Sequence, residues 1–369
     1  MTATGAASLD AFLVPAATTL PSNRAYLAHL SASNGDPDLI RLASNENTEP
    51  PSPRVREALE RAFFDANLSP PPVSPLQRAL AERHGVEPAS VLVTAGSTEV
   101  IDAVFRTFLR AGSEVVLPAP SWPVFRRRLD ALEARVADVP LDLSDHGFAY
   151  DTDSMLAAIT TETRLVVICS PNNPTGNAME IDDVRRIAAT GVPLLLDAAY
   201  ADFDAGRDPM PLVHEFANVI VTRTFSKAYC LAGVRVGYAV GSADLLDHVD
   251  RFLVPGSSVS SPALHAGLAA LEDEAYHRHQ VERITGERER LLPRLRHLGL
   301  RAYPSAGNFL AVDCAEREGG AEGLAAAVLA EGVVVRPLGS LVRISIGRRE
   351  ENDALVGALE RALRTGAAA

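Results

Sequence analysis

The chain has 369 residues, 47% of them hydrophobic, with a formal net charge of −12, enough apolar material for one large α/β body and a smaller one. The acidic balance argues against nucleic acid as a partner, and no apolar run reaches the roughly eighteen residues that would suggest a membrane span. The three cysteines, Cys169, Cys230 and Cys314, have no C-x-x-C pairing, which predicts a reducing, cytoplasmic setting without disulfides. The nine histidines show no carboxylate-histidine cluster with metal spacing, so no metal is expected.

In chain order, Met1 to Leu20 lacks a basic start, contains Asp10 and is broken by Pro15, so it fails as a secretory signal. From about Ser52 to Leu246, short apolar strands alternate with longer amphipathic segments, the rhythm of a mainly parallel sheet. Val91-Leu92-Val93-Thr94 leads into Ala95-Gly96-Ser97-Thr98-Glu99 and an amphipathic run with Ile101, Val104, Phe105 and Phe108. A glycine turn opening a helix offers free N–H groups and a positive dipole end to an anion. Next come Leu117-Pro118-Ala119-Pro120-Ser121 and the only tryptophan, Trp122, then Arg126-Arg127-Arg128, read as a solvated helix face. The strand Leu165 to Ser170 ends in Pro171-Asn172-Asn173-Pro174-Thr175-Gly176, and Leu194-Leu195-Leu196 ends in Asp197 with Tyr200 three residues on. The β-branched run from Asn218 to Arg223 precedes Thr224-Phe225-Ser226-Lys227. Ser261 to Leu298 reads as largely helical, Phe309 to Asp313 and Val333 to Ile346 as further strands, and the tail after Gly366 as frayed.

Lys227 is the only lysine, so 35 minus 1 leaves 34 arginines. A composition that prefers arginine wherever a cation suffices keeps lysine where an amine must lose its proton and attack. Thr224, Ser226 and Arg235 place hydroxyl and guanidinium donors beside that amine, the set that pyridoxal phosphate needs for its phosphate and Schiff base. Neighbouring cations and partial burial should hold the amine below its ordinary pKa. Asp197, ending a buried strand, could pair with a pyridinium nitrogen and keep it protonated.

T-x-S-K with an arginine eight residues after the lysine resembles the Schiff-base motif of the class I/II aminotransferases, most closely the histidinol-phosphate aminotransferase subfamily. The P-N-N-P-T-G run and Asp197-Ala198-Ala199-Tyr200-Ala201-Asp202-Phe203 resemble the subfamily's text as well, with Ala198 in place of the usual glutamate. The resemblance spans about Leu42 to Leu359. It implies the fold type I architecture, an α/β large domain with a mainly parallel sheet plus a smaller α/β domain. The expected divisions are 1–48, packing with the small domain, 49–250 for the large domain and 251–369 for the small one. The resemblance further implies a homodimer, and pyridoxal 5'-phosphate held by Gly96, Ser97, Thr98, Trp122, Asn173, Asp197, Tyr200, Thr224, Ser226, Lys227 and Arg235. Lys227, Asp197 and Tyr200 are then the catalytic set. Asn45 in Asn45-Glu46-Asn47, Arg336 and Arg343 are the expected substrate residues, Arg343 as a two-point clamp.

Three departures bear on specificity. The subfamily's Y-P-D tyrosine, which reaches across its dimer, has no counterpart in Leu68 to Pro75; the connection from Arg336 to Arg343 is short; and Cys230 stands where glycine is usual. Amino transfer to or from an amino acid or related amine is the first expectation. A lyase, decarboxylase or oxidative deaminase on the same fold is the alternative, since one electron sink serves all of these reactions.

Overall fold

A computed structural model describes residues 13–22, 36–65, 67–70, 74–255 and 258–364. The expectations for Met1 to Phe12 and for the tail after Gly366 lie outside these residues, as do Pro71 to Val73 of the Leu68 to Pro75 stretch.

Strands β1 (Ile40–Arg41), β2 (Val91–Thr94), β3 (Glu114–Ala119) and β4 (Arg135–Pro140) are followed by a hairpin of β5 (Asp142–Ser144) and β6 (Gly147–Ala149). Then come β7 (Thr163–Cys169), β8 (Leu194–Asp197), β9 (Val219–Thr224) and β10 (Gly237–Gly241). Seven of them form one sheet in the order β2-β10-β9-β8-β7-β3-β4, parallel except for β10, which runs antiparallel to both its neighbours. Every residue of β8 and β9 is buried. That is why these strands read as continuous apolar runs without alternation: helices cover both faces of the sheet. One face carries Val166, Ile168, Leu194, Leu196, Val219 and Val221, and the other Val167, Leu195 and Ile220, each in its own core.

Because β7, β8 and β9 are parallel, their carboxyl ends share one edge, where Cys169 pairs with Asp197 and Asp197 with Thr222. Reversed, β10 brings its first residue there too, Gly237 lying opposite both Thr94 and Thr224. This edge is where open α/β sheets place ligands.

The smaller sheet is antiparallel, in the order β11 (Arg301–Tyr303), β12 (Phe309–Asp313), β15 (Leu341–Ser345), β14 (Arg336–Leu338). The helices Glu274–His297, Gly320–Ala330 and Arg349–Arg364 contribute Ile284, Leu291, Leu324, Val328, Leu355 and Leu359 to its core. The chain's entry joins the same body: β1 pairs in parallel with β13 (Val333–Val334), and Leu42 is fully buried in that core.

Two local readings gain detail. The helical stretch from Ser261 is two helices, Ser261–Glu272 and Glu274–His297, because Asp273 leaves helical geometry and its carboxylate caps the second by accepting from the Tyr276 N–H at 3.3 Å. Arg126 to Arg128 are not merely solvated: Arg126 forks onto Asp138, Arg128 pairs with Asp102, and Arg127 donates to the Pro21 carbonyl.

Candidate active site

At the shared strand edge lies a cavity of about 340 Å³. Ser97, Thr98, Trp122, Asn173, Asp197, Tyr200, Thr224, Ser226, Lys227, Arg235, Arg336 and Arg343 all line it. Of the expected site residues only Gly96 and Asn45 do not, and both stand directly behind it.

One end is built for an oxyanion. The helix Ser97–Phe108 starts after Gly96, whose φ of +85° suits glycine, and no side chain caps its first N–H groups. Its positive end therefore faces the cavity with donors to spare. A Cβ on Gly96 would lie 2.5 Å from Nη2 of Arg235, so glycine leaves the guanidinium its place. Gly237 is equally constrained, since a Cβ there would meet the Ser97 backbone nitrogen at 2.3 Å. Arg235 itself holds a φ of +62°, and its Nη1 donates to the Ala232 carbonyl at 3.1 Å. Non-glycine residues in this left-handed region carry strain that sites retain for geometry. Thr224 and Ser226 complete this end, tied hydroxyl to hydroxyl at 2.9 Å.

Lys227 lines the cavity, half-buried, with Nζ donating to the Ser44 carbonyl at 3.2 Å. Burial pushes its pKa down to about 8, with Arg343 and Arg235 adding to the effect and Glu46 and Asp197 opposing it. Asp197 is almost wholly buried; its carboxylate accepts from Thr222 Oγ1 at 3.1 Å and lies 3.8 Å from the Cys169 thiol. Burial pushes its pKa up to about 6, although Thr222, the Ala199 N–H, Cys169 and Lys227 favour the charged form.

The Tyr200 hydroxyl accepts from the side-chain amides of Asn45 and Asn173, each at 3.1 Å. Burial raises its pKa to about 12. Asn173 Oδ1 in turn accepts from Arg343 Nη1 at 2.7 Å, while Arg343 Nη2 donates to the Ala43 carbonyl at 2.6 Å. Asn45 is 1% exposed and holds a φ of +51°, its backbone N–H on Ser345 Oγ at 2.7 Å. It thus supports Tyr200 from behind and does not contact the cavity directly.

Trp122 stands edge-on to Phe125, ring centres 5.3 Å apart, presenting a flat wall. Arg336 lies directly opposite Arg343 on the neighbouring strand, so two guanidinium groups share one face. Like charges in that relation destabilise a sheet and favour an anion between them.

Sequence reasoning passed over the Ser44 carbonyl, Glu46, Cys169, Thr222 and Leu338. Cys169 ends a strand that is legible in the sequence, but a lone thiol there carries no signal of a place beside Asp197. Thr222 has no signal of its own, because only strand register sets it beside Asp197.

The family model for aminotransferases of class I and II matches residues 37–359. The chain is 37% identical over 346 residues to histidinol-phosphate aminotransferase 2 of Caulobacter vibrioides, covering 91% of this chain and 90% of that protein. It is 33% identical to an aromatic amino acid aminotransferase of Cutibacterium acnes, covering 90% and 95% respectively. Among solved structures, histidinol-phosphate aminotransferase from Sinorhizobium meliloti in complex with pyridoxal-5'-phosphate superposes with a TM-score of 0.83 at 28% identity, covering 98% of this chain and 99% of that one. With its matched span, sheet order and cavity at the strand edge, the chain belongs to the class I and II aminotransferase family.

Proposed function

We propose that the protein is a pyridoxal-phosphate-dependent aminotransferase whose amino substrate carries an anionic group. The observation that carries this reading is the single lysine of the chain, lying in one cavity between a buried carboxylate and an anion-binding helix start. The residues fit the cofactor. Ser97, Thr98, Thr224, Ser226, Arg235 and the helix N-terminus would hold its phosphate, Trp122 would cover its ring, Asp197 its ring nitrogen, and Asn173 with Tyr200 its phenolic oxygen. When bound, the cofactor supplies an electron sink for charge developing on the substrate carbon.

The remaining work falls to the chain. Lys227, with a pKa near 8, would hold the cofactor's aldehyde carbon through its amine and move the substrate proton when released from that bond. Asp197 would pair its charge with a protonated ring nitrogen. Arg343 and Arg336 would clamp the substrate's anion and orient the amine toward Lys227. The similarity to histidinol-phosphate and aromatic aminotransferases favours amino transfer over elimination, decarboxylation or oxidation.

A second copy of the chain completes the reading. Phe63, Phe64, Leu68 and Val254 are 70%, 87%, 61% and 65% exposed, large apolar surfaces that a homodimer contact would cover. The cysteines form no disulfide, and no helix among the described residues is long and apolar enough to cross a membrane, in keeping with a cytoplasmic enzyme.

The test is an absorbance titration of the loaded protein with single amino donors, without a keto acid. A donor should change the spectrum once per site, and a keto acid should restore it. Continuous release of ammonia or carbon dioxide over many turnovers, with an unchanged spectrum, would overturn amino transfer.

A further inference from the structure

Behind the Lys227 loop lies a chain of polar and aromatic groups to which the amino-transfer chemistry assigns no part. Arg223, in β9, is almost wholly buried between two carboxylates: Nη2 on Asp208 at 2.5 Å and Nη1 3.6 Å from Asp202. Asp202 stands two residues after Tyr200. Its Oδ1 also meets His277 Nε2 at 3.2 Å, and both of those side chains are mostly buried, at 14% and 17% exposure. Burial pushes the Asp202 carboxyl up, yet the hydrogen bond from His277 and the charge of Arg223 hold it below its ordinary range.

The His277 ring lies flat on Tyr229, two residues after Lys227, with ring centres 4.2 Å apart and planes 25° from parallel. Tyr229 packs in turn on Phe225, centres 4.7 Å apart. The two segments that bear Lys227 and Tyr200 are therefore pinned to the same imidazole.

His277 sits in the first turn of the helix Glu274–His297, and the next turns of that helix reach the other side of the lysine. Gln280 accepts from the Asn47 amide at 3.2 Å, and Arg283 donates to Asn47 Oδ1 at 2.7 Å and to the Gly347 carbonyl at 3.0 Å. Asn47 follows by three residues Ser44, whose carbonyl receives the Lys227 amine. One helix thus contacts both the loop that carries the amine, through Tyr229, and the segment around Asn47 that follows the amine's acceptor, Ser44.

We propose that His277 is a positioning residue for Lys227, its ring clamping Tyr229 while Asp202 fixes that ring, so that the amine stays in its water-poor place facing the cavity. This rests on the reading of Lys227 as the cofactor-bearing amine. Loss of the ring removes the flat support of Tyr229, lets the 225–230 loop move, and admits water to the amine. The charged groups that face Lys227, namely Arg343, Glu46, Arg235 and Asp197, are untouched by the change, so any shift in its proton affinity reports hydration and placement.

The absence of any other lysine makes the test direct. In the cofactor-free full-length protein, an amine-reactive reagent is applied across pH and the peptide containing residue 227 is quantified by mass spectrometry. The midpoint in the unaltered chain is expected near pH 8. His277→Ala should raise it by about one unit, a tenfold change in proton affinity, and should slow covalent capture of pyridoxal phosphate by about tenfold. His277→Phe, which keeps a ring on Tyr229 but loses the bond to Asp202, should fall between the two. A His277→Ala protein that melts earlier but keeps the midpoint and the capture rate overturns the inference and leaves His277 a purely structural residue. If instead Lys227→Arg still captures the cofactor covalently, the reading of Lys227 fails, and the inference fails with it.

Discussion

The carboxylate of Asp197 should cost the empty protein stability, and Asp197→Asn measures how much. In the folded chain burial raises its pKa from the ordinary 3.8 to about 6. Between about pH 4 and pH 6 the native state holds a proton that the unfolded chain has released, so stability falls as pH rises through that window. Above pH 6 the deficit is complete, about 3 kcal/mol at about 1.4 kcal/mol per unit. Asparagine keeps the shape, still accepts from Thr222 and carries no charge to bury. The cofactor-free Asp197→Asn protein should therefore be the more stable at pH 8 by up to about 3 kcal/mol, less a small attraction lost at Lys227. With an unfolding entropy of roughly 2.1 cal/mol/K per residue over 369 residues, that gain is on the order of 4 °C. Melting curves of both proteins at pH 8 and pH 4 provide the assay, with the gap closing at the lower pH. A variant less stable at pH 8, or a gap independent of pH, would refute a buried and raised carboxyl. Loaded protein should show the reverse preference, since the opposite charge of the ring nitrogen would then repay the burial.

Two further outcomes follow from the geometry. Gly96→Ala puts a methyl 2.5 Å from Arg235 Nη2 and should displace the guanidinium. The loss of about 1.5–3 kcal/mol for a hydrogen bond to charge predicts a ten- to hundredfold weaker cofactor in an absorbance titration, and an unchanged Kd would remove Arg235 from the phosphate end. Tyr200→Phe leaves the Asn45 and Asn173 amides without their shared acceptor, which should cost about 2 kcal/mol or more in urea unfolding; stability equal to that of the unaltered chain would show that the two amides find other partners.

What could be read from the chain was local: strand ends, glycine turns and the residue types standing at them. Asp197 closes β8, the Gly96 turn opens a helix, and Asn173 and Lys227 stand in the turns just after β7 and β9; parallel order gathers the ends of β7, β8 and β9 on one edge. Less visible was what depends on register or on distant segments. The Ser44 carbonyl meets Lys227 across 183 positions of sequence, and Thr222 faces Asp197 only because β8 and β9 pair as they do. Asn45 shows the same limit. Its motif placed it near the substrate, but its left-handed backbone and the Ser345 hydroxyl turn its amide toward the back of Tyr200. Cys230, which departs from the subfamily's glycine, takes a φ of +60°, so the backbone there keeps the geometry that the glycine would have supplied.

Arg343 is already engaged before any ligand arrives, with one nitrogen on Asn173 and another on the Ala43 carbonyl. A weakly bonding monovalent anion offers less than those two acceptors and has little to gain by displacing them. A carboxylate or phosphate on a substrate tethered elsewhere in the cavity competes at high local concentration and with better geometry. If Arg343 is the substrate clamp proposed above, this latch should act as a threshold: chloride should inhibit poorly, whereas a carboxylate or phosphate held at a second point should displace Asn173 and Ala43. Asn173 also donates to Tyr200 through its amide nitrogen, so one side chain joins the guanidinium to the hydroxyl, and freeing its oxygen from Arg343 would leave the bond to Tyr200 in place.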